Sequence, residues 1–524
     1  MDTKALRQKI LDLAIRGKLV PQDPNDEPAE VLLERIREQK QQMLKEGKFK
    51  KKDIKNDTII FKGEDNLHYE KFQDGTVKCI EEEIPFEVPD GWAWARLNSI
   101  VDVRDGTHNT PAYVDKGIPL ITSKNLVEGG IDYSNVKYIS KKDAININER
   151  SGVNIGDILF AMIGTIGNPS MVTEDILISI KNVALFKFTF SDNLNNHFIM
   201  YFLDCAQKDM KKRPSGGLQP FVSLNFLRTY LVPVPPVEEQ QRIVDILTDS
   251  INRIRNIDIL KNELTISIEN AKSKILDLAI SGKLVLQDPN EEPASVLLER
   301  IRTEKETLIK AGKIKRDKKE SIIFKGDDNS YYEKMPNGKL NCLDDQLPFE
   351  LPEGWKWCNL SMIGTTNIGL TYHPTDIDTQ GIMVLRSCNI VNDEINLTDL
   401  VRVKTSIREN QFAQKDDILI CARNGSRSLI GKCALIPELD EQASFGAFMA
   451  IYRTPYFKYI VYFLRSNFFR SVFNDSNSTT INQLTQDMLK RAIVPLPPLA
   501  EQLRIVDKIT ELFERLSCIE ESLN

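Results

Sequence analysis

Apolar residues recur at a regular helical spacing through the middle of the chain. From the first to the last they cover 35 positions in ten steps, a mean of 3.5 residues per step. That period is typical of a coiled-coil seam rather than of a surface helix with a period of about 3.6. Pro235 and Pro236 precede the pattern and Gly282 follows it, which predicts a helix from about Val237 to Ile280. The apolar positions are Ile243, Leu247, Ile251, Ile254, Ile257, Leu260, Leu264, Ile268, Ala271, Ile275 and Leu278.

The same helical pattern returns in two pieces at the ends of the chain. Residues 500–524 match about 238–262, and residues 3–16 match about 268–281. We therefore predict that the chain ends meet where the central helix is continuous. The long coiled-coil helices would then form an antiparallel pair in a circularly arranged molecule with a pseudo-two-fold axis. Two independent domains on a helical linker are the alternative, which leaves the matching ends unexplained.

The rest of the chain is also written twice, at an offset of about half its length. Gly17-Lys18-Leu19-Val20 returns as Gly282-Lys283-Leu284-Val285, and Pro233-Val234-Pro235-Pro236 returns as Pro495-Leu496-Pro497-Pro498. A period this long indicates a duplicated module rather than a solenoid. We predict an α+β fold in which two α/β-mixed blocks are separated by the helices. The segments are 1–17 and 498–524 (two parts of a distal helix), 18–87 and 282–350 (arms), 88–235 (the first block), 236–281 (the central helix) and 351–497 (the second block).

Composition excludes several classes of protein. The chain has 524 residues and a formal net charge of −6, and each block holds 15 Lys and Arg against 14 Asp and Glu. This balance does not indicate a strongly basic nucleic-acid binder. We expect a cytoplasmic protein without a membrane segment, because there is no signal-peptide pattern and no run of about 18 apolar residues. The eight cysteines lack a paired spacing and the four histidines lie far apart, so we expect reduced thiols and no metal site.

A search for chemistry finds no catalytic motif. Neither a Gly-x-Gly-x-x-Gly segment after a strand nor a His-Glu-x-x-His or Gly-x-Ser-x-Gly motif is present. Gly425 to Cys433 is similar to a phosphate-binding loop, but its spacer is one residue too long and Cys433 stands where Ser or Thr is needed. A lysine run at 48–55 is typical of a solvated face, with a phosphate contact as the alternative. We therefore predict no catalytic residue and no cofactor-binding residue in this chain.

Polar loops in the two blocks are the candidate DNA-binding residues. Arg can pair bidentately with guanine and Asn with adenine in a major groove. Ordinary turn chemistry is the simpler explanation for any single residue, but the two copies differ most in these loops, which favours binding. In the first block the candidates are Arg104, Gly106, Thr107, His108, Asn109, Thr110, Tyr113, Lys124 and Asn125. In the second block they are Thr371, Tyr372, His373, Arg386, Ser387, Asn389, Arg423, Asn424, Ser426 and Arg427.

Three duplicated motifs together resemble a known family. They are the Lys-Ile-Leu-Asp-Leu-Ala-Ile segments at 9–15 and 274–280, the Gly-Trp-x-Trp segments at 91–94 and 354–357, and the Glu-Gln-x-Arg-Ile-Val segments at 239–244 and 501–506. They are similar to motifs of the specificity subunit of type I restriction–modification systems, and the resemblance covers essentially the whole chain. It implies that the blocks are target recognition domains, each reading one half of a bipartite site in double-stranded DNA, and that the chain itself has no catalysis.

The resemblance also implies partners. The helices would set the unread spacer and dock two DNA adenine methyltransferase subunits, which hold S-adenosylmethionine, and motor-nuclease subunits would join them. A helix of 44 residues is roughly 65 Å long, enough to hold two readers one DNA turn apart. The second block lacks the Gly-Thr-His of residues 106–108, so its reading residues follow less directly from the resemblance. A stand-alone sequence-specific DNA-binding protein is the alternative function; a self-contained restriction enzyme would need a motif that is absent.

Overall fold

The structure, a computed structural model, describes residues 2–50, 54–191, 193–212, 221–314, 316–317, 320–474 and 483–523. The chain divides into two compact units, residues 1–260 and 261–524. Each unit combines helices and sheets, which agrees with the predicted mixture of the two. Part of the lysine run at 48–55 lies outside the described residues, and the idea that this run contacts phosphates stays a prediction.

The first unit contains short strands and helices of moderate length. Its helices are Thr3–Ile15, Ala29–Lys45, Leu97–Ile100, Lys141–Ser151, Asn196–Met210 and Leu224–Arg228. Its strands are Ile59–Lys62, His68–Lys71, Val77–Cys79, Ala93–Arg96, Asp102–Asp105, Tyr113–Val114, Ile118–Ile121, Leu126–Val127, Gly130–Ile131, Lys137–Ile139, Ile158–Ala161, Gly167–Met171, Ser179–Ile180, Val183–Lys187 and Leu231–Val234.

The second unit repeats most of this series, although helix Lys141–Ser151 has no α-helical counterpart among its described residues. Its helices are Ala294–Lys310, Leu360–Ile363, Phe457–Arg465, Asn467–Asn474, Gln486–Arg491 and Leu499–Ser522. Its strands are Ile322–Lys325, Tyr331–Lys334, Leu340–Cys342, Lys356–Asn359, Thr365–Ile368, Ile377–Leu385, Ile390–Val391, Glu394–Ile395, Val401–Val403, Phe412–Ala413, Ile418–Cys421, Cys433–Leu435, Ala443–Phe445, Met449–Arg453 and Ile493–Leu496.

The predicted central helix is confirmed at both of its bounds, because one helix runs over Val237–Ile280. At its C-terminal end Gly282 has a φ of +69°, the left-handed conformation that commonly ends a helix. The Lys283 N–H closes the last turn by donating to the Leu278 carbonyl at 2.8 Å. The proline pair before the helix and the glycine after it therefore act as the sequence indicated.

Each terminal helix contacts the part of the central helix that belongs to its own unit. In the first unit Thr3 Oγ1 donates to Asp258 Oδ1 at 2.7 Å. In the second unit Lys272 Nζ lies 2.9 Å from Glu520 Oε2. Both contacts place a terminal helix beside the central helix, and each joins it to the segment other than the one it matches in sequence.

Both blocks are built from two four-stranded sheets. In the first block one sheet has the strand order 167–171, 158–161, 183–187, 102–105, and the other has the order 179–180, 118–121, 137–139, 113–114. In the second block the orders are 433–435, 418–421, 449–453, 365–368 and 412–413, 443–445, 377–385, 401–403. The strands Ile158–Ala161 and Ile418–Cys421 are buried at every position, as expected for continuous apolar runs. The first of the two sheets thus has the same order in both blocks.

A short antiparallel pair closes each block at its base. Strand Ala93–Arg96, which opens the first block, pairs with Leu231–Val234, which closes it. Lys356–Asn359 and Ile493–Leu496 pair in the same way in the second block. The ends of each block therefore lie side by side, directly before a long helix.

A buried polar joint connects the base of each block to the helix that follows it. In the first unit the Trp92 indole N–H donates to Glu239 Oε2 at 2.9 Å, and Gln22 Nε2 donates to Glu239 Oε1 at 3.1 Å. Burial raises the pKa of Glu239, while the hydrogen bonds from Trp92 and Gln22 lower it. The second unit repeats the joint with Trp355, Gln287 and Glu501 at 3.0 Å for both bonds.

Replacing Trp92 by phenylalanine is expected to lower the free energy of unfolding by about 1–3 kcal/mol, because the buried Glu239 carboxylate loses a donor. Trp94→Phe is the matched control. The Trp94 side chain is also buried, but its indole N–H has no hydrogen-bond partner among the described residues. Urea unfolding followed by circular dichroism measures both losses, and equal losses in the two variants would contradict the role assigned to the joint.

Candidate nucleic-acid interface

The first candidate loop is held by backbone contacts. The Thr107 N–H donates to the Ile180 carbonyl at 3.0 Å, and the Asn182 N–H donates to the Thr107 carbonyl at 3.1 Å. Gly106 lies so close to the neighbouring strand that an added Cβ would stand 2.3 Å from the Ile180 carbonyl oxygen. Only glycine fits such a close backbone approach. Gly106 therefore positions this loop, which we call the glycine loop (residues 106–110 in the first block).

His108 is fixed at the tip of the glycine loop by two partners. Its Nε2 lies 2.9 Å from Asp105 Oδ2, and its Nδ1 lies 2.9 Å from Asn182 Oδ1. Asp105 is buried and also accepts a hydrogen bond from Arg150. The side chain of His108 nevertheless stays 62% exposed. The imidazole is thus accessible to a ligand while its position is set from below.

Asn125 is used inside its own turn. Its Oδ1 accepts from the Thr122 N–H at 3.0 Å, and its Nδ2 donates to the Asp132 carbonyl at 3.1 Å. The residue is buried, which argues against the direct base contact that its residue type suggested. Its neighbour Lys124 is exposed.

Exposed members of the first-block set line a cleft of about 870 Å³. Tyr113, Lys124 and the buried Asn125 were expected from the sequence, whereas Lys137, Lys181 and Asn182 were not. The three lysines come from separate segments of the chain and meet at one cleft. No local motif marks them, because sheet pairing alone brings these segments together. The cleft is called the lysine cleft below.

The glycine loop adjoins the lysine cleft through two residues of its wall. Thr110 Oγ1 is hydrogen-bonded to Lys181 Nζ, and His108 contacts Asn182 as described. Asn109 is exposed between them, with its N–H donating to Thr107 Oγ1 at 3.2 Å. The loop and the cleft therefore form one continuous polar surface.

Arg104 is engaged elsewhere. Its Nε donates to Asp102 Oδ2 at 2.9 Å, and its Nη1 donates to the Arg150 carbonyl at 3.0 Å. It is not among the residues that line the lysine cleft. These contacts favour a structural role over the predicted base contact.

The second block carries an equivalent glycine loop (residues 369–373) with different side chains. Leu370 pairs with Gly446 in a parallel bridge, as Thr107 pairs with Lys181 in the first block. A Cβ added to Gly369 would stand 2.1 Å from the Gly446 carbonyl oxygen. This register places Thr371 where the first block has its histidine. The missing Gly-Thr-His motif is therefore a change of side chains on a retained backbone.

The remaining residues of the second glycine loop divide into packed and exposed ones. Tyr372 is half-buried and packs with Leu370 and Val384. Thr371 and His373 are exposed. The His373 N–H donates to Asp376 Oδ2 at 2.8 Å. Thr371 and His373 are thus the members of this loop that are free to meet a ligand.

A polar turn lies next to residues 386–389. Asn389 repeats the role of Asn125, with its Oδ1 accepting from the Arg386 N–H at 2.9 Å and its side chain buried. Asn424 Nδ2 donates to Ser387 Oγ at 3.4 Å. This contact joins two of the predicted segments. Asn389 itself supports the turn and, like Asn125, is poorly placed to reach a base.

Arginines provide the cationic part of this second surface. Arg423 is exposed and its guanidinium carbon lies 5.4 Å from the centre of the Phe448 ring, which is itself 58% exposed. Ser426 and Arg427 are exposed on the same turn. Arg386 is paired with Asp399 at 3.1 Å. The sequence did not predict Phe448 as part of this surface, because an isolated Phe usually indicates a residue of the hydrophobic core.

Other site chemistries find no support in the part of the chain that the structure describes. Within those ranges no cluster of three or more His, Cys, Asp or Glu side chains could hold a metal ion. Within the same ranges no helix is both long and apolar enough to span a membrane.

Comparison with known proteins identifies the family. The model of the type I restriction modification DNA specificity domain matches residues 89–266 and 352–524. The EcoAI specificity subunit of Escherichia coli is 30% identical over 98% of this chain and 89% of its own length, and the EcoEI specificity subunit of Escherichia coli is 28% identical over the same shares. A chain solved in work on complex assembly and conformational transition of the type I restriction–modification system has a TM-score of 0.54 at 18% identity. That likeness covers 84% of this chain and 94% of the other.

The chain therefore belongs to the type I restriction–modification DNA specificity family. It is a DNA-recognition subunit of such a system, and catalysis belongs to other subunits. The resemblance inferred from the duplicated motifs is confirmed.

Proposed function

We propose that the two blocks read two separate short DNA sequences and leave the bases between them unread. The observation that carries this proposal is that the equivalent turns at 122–125 and 386–389 share their buried residue and differ in an exposed one. Asn125 and Asn389 are both buried and hold the same turn. The exposed residues just before them are Lys124 in one block and Cys388 in the other. One frame with two different exposed surfaces is what two readers of different sequences require.

In the first block the lysine cleft would bind phosphates and the glycine loop would contact bases. Lys124, Lys137 and Lys181 would neutralise phosphates, which supplies affinity but no sequence information. Asn109 would meet base edges in a groove, and the exposed ring of His108 would pack beside them. In the second block the exposed Arg423 and Arg427 would pair with guanine, and Thr371 and His373 stand at the second glycine loop. Arg104, Asn125 and Asn389 support these surfaces from within.

The helices and the family support a proposed assembly. The contacts of Thr3 with Asp258 and of Lys272 with Glu520 support an antiparallel pair of helices and a circular, pseudo-two-fold arrangement. These helices would set the spacer and dock two DNA adenine methyltransferase subunits. S-adenosylmethionine would be bound there, and motor-nuclease subunits would complete the complex in the cytoplasm. In this proposal the arms are residues 18–87 and 282–350, and the two blocks are residues 88–235 and 351–497.

Co-expression with the cognate methyltransferase subunit in a methylation-free host tests the proposed function. Genome-wide mapping of methyladenine should give a single gapped motif, methylated on both strands. Methylation of two unlinked short sequences would contradict the proposal. If no methylation appears and the isolated chain binds one DNA sequence tightly, the alternative of a stand-alone DNA-binding protein is correct.

Arg423→Ala should relax one half of this motif and leave the other half unchanged. Loss of one bidentate base contact costs about 1–3 kcal/mol, so discrimination at one base pair should fall roughly tenfold to a hundredfold. Lys415→Ala is the control, because Lys415 and Arg423 lie at opposite ends of strand Ile418–Cys421. Lys415 is therefore away from the surface that carries Arg423. A change in both half-sites would contradict the assignment of one half-site to each block.

A further inference from the structure

The three-stranded sheet of each arm exposes the same set of side chains in both units. In antiparallel sheets directly opposed residues share a face, and Ile59, Lys71 and Val77 are opposed, as are Phe61, Tyr69 and Cys79. The equivalent face in the second unit consists of Ile322, Lys334, Leu340, Phe324, Tyr332 and Cys342. We call these the two arm faces. Only valine against leucine distinguishes them.

The arm faces are open to solvent to the same degree. Phe61 is 40% exposed and Phe324 is 39% exposed, and Val77 and Leu340 are 52% and 53% exposed. Apolar side chains placed together on a surface commonly mark an interaction site. The match in exposure shows that neither face is covered within its own unit.

On the packed side of the same sheets the two units differ at two positions, which are His68 and Lys78 in the first unit and Tyr331 and Asn341 in the second. Glu70 is buried there and is paired with Arg96 at 2.7 Å. Its counterpart Glu333 meets Ser321 and Asn359 instead. Packing usually restricts buried positions more than exposed ones. The constancy of the arm faces supports a contact of these faces outside the chain.

Internal packing explains only part of each arm face. Phe61 stacks on Tyr69 with ring centres 5.9 Å apart, and Phe324 lies 6.0 Å from Tyr332. Such cross-strand pairs stabilise a small sheet. They do not account for the exposed aliphatic residue or the lysine on each face.

We propose that each arm face, acting together with the helices, docks one copy of the same partner protein, and that this partner is the methyltransferase subunit; the choice of partner rests on the proposed function. The partner binds the chain in two equivalent copies, as two equivalent faces require. Its contact surface is apolar at the centre and carries a carboxylate for the lysine. Lys71 and Lys334 are exposed, and no acidic side chain in the described part of the chain pairs with either.

The apolar centre of the arm faces favours a protein over DNA. The acidic turn Glu81–Glu83 directly follows the third strand in the first unit. Asp344 and Asp345 occupy the same place in the second unit. Glu81 and Glu83 pair with His68 and Lys78 on the other side of the sheet, so the apolar centre of the arm face, and not the charge beside it, fits a protein surface.

Native cysteines allow the docking to be mapped without substitution. Cys79 and Cys342 lie on the arm faces and are exposed, and Cys388 is exposed in the second block. Alkylation of the full chain is followed by mass spectrometry with and without methyltransferase or DNA. Methyltransferase should slow alkylation of Cys79 and Cys342 at least about tenfold and leave Cys388 unchanged. Protection of Cys79 and Cys342 by DNA alone would overturn the proposal in favour of a nucleic-acid contact.

Charge substitutions test each arm face separately. Val77→Glu and Leu340→Glu should each reduce the bound methyltransferase from two copies to one in native mass spectrometry, and the double variant should bind none. Ile155→Glu is the control, because Ile155 is 60% exposed and lies far along the chain from either arm face. Circular dichroism should show unchanged folding in every variant.

The two proposals fail in different ways. If the wild-type chain binds no methyltransferase, the proposed function fails. If the wild-type chain binds two copies and the double variant also binds two, the docking surface lies elsewhere and only the present inference is overturned.

Discussion

Gly106→Ala is expected to remove reading of one half-site almost completely. The added methyl carbon would lie 2.3 Å from the Ile180 carbonyl oxygen, a backbone atom that cannot move aside cheaply. The glycine loop must therefore shift, and His108 would lose its contacts with Asp105 and Asn182. Losing two or three base contacts at about 1–3 kcal/mol each should reduce methylation at the motif by about a hundredfold or more.

Two matched variants sharpen this prediction. Gly369→Ala introduces the equivalent collision in the second block, 2.1 Å from the Gly446 carbonyl oxygen, and should remove reading of the other half-site. Gly425 has no atom within 4 Å of an added Cβ, so Gly425→Ala should retain methylation. Methyladenine mapping on co-expression with the methyltransferase measures all three. Normal methylation with Gly106→Ala would show that the glycine loop takes no part in recognition.

The second large effect concerns the contact between the first arm and the first block. Lys40→Ala is expected to lower the free energy of unfolding of the first unit by about 3–5 kcal/mol, because it leaves a largely buried carboxylate without its partner. Lys40 is 4% exposed, its Nζ lies 2.7 Å from Asp57 Oδ2, and it also donates to the Asn98 carbonyl at 2.8 Å. Burial lowers the pKa of Lys40 and raises the pKa of Asp57, while their contact opposes both shifts.

The second unit offers a graded comparison for Lys40. Lys305 pairs with Glu320 at 2.9 Å and donates to the Ser361 carbonyl at 2.7 Å, but its side chain is more accessible to water. Lys305→Ala should therefore cost only about 1 kcal/mol. Lys45→Ala, at an exposed position on the same helix as Lys40, is the control. Hydrogen exchange resolves the two units, and an equal loss for Lys40→Ala and Lys305→Ala would contradict the role of burial.

Recognition residues were harder to predict than the frame that carries them. The sequence pointed to the glycine loop through Gly106 and His108, because a compact run of loop residues stands out locally. It also pointed to Asn125 and Asn389, which the structure buries in their own turns. An asparagine that reads a base and one that holds a turn have the same residue type. Only the hydrogen-bond partners distinguish them.

The sequence by itself determined the duplicated organisation, the central helix and the family. These follow from local periodicity, from flanking prolines and glycine, and from motifs that occur twice. All of these features can be recognised without knowing how the chain packs. The tertiary structure alone decided which residues share a surface. Lys124, Lys137 and Lys181 meet in one cleft because sheet pairing joins distant strands, whereas Leu260 of the apolar pattern remains 61% exposed. Burial depends on what packs against a residue, and that information is not contained in the spacing of the residue along its own helix.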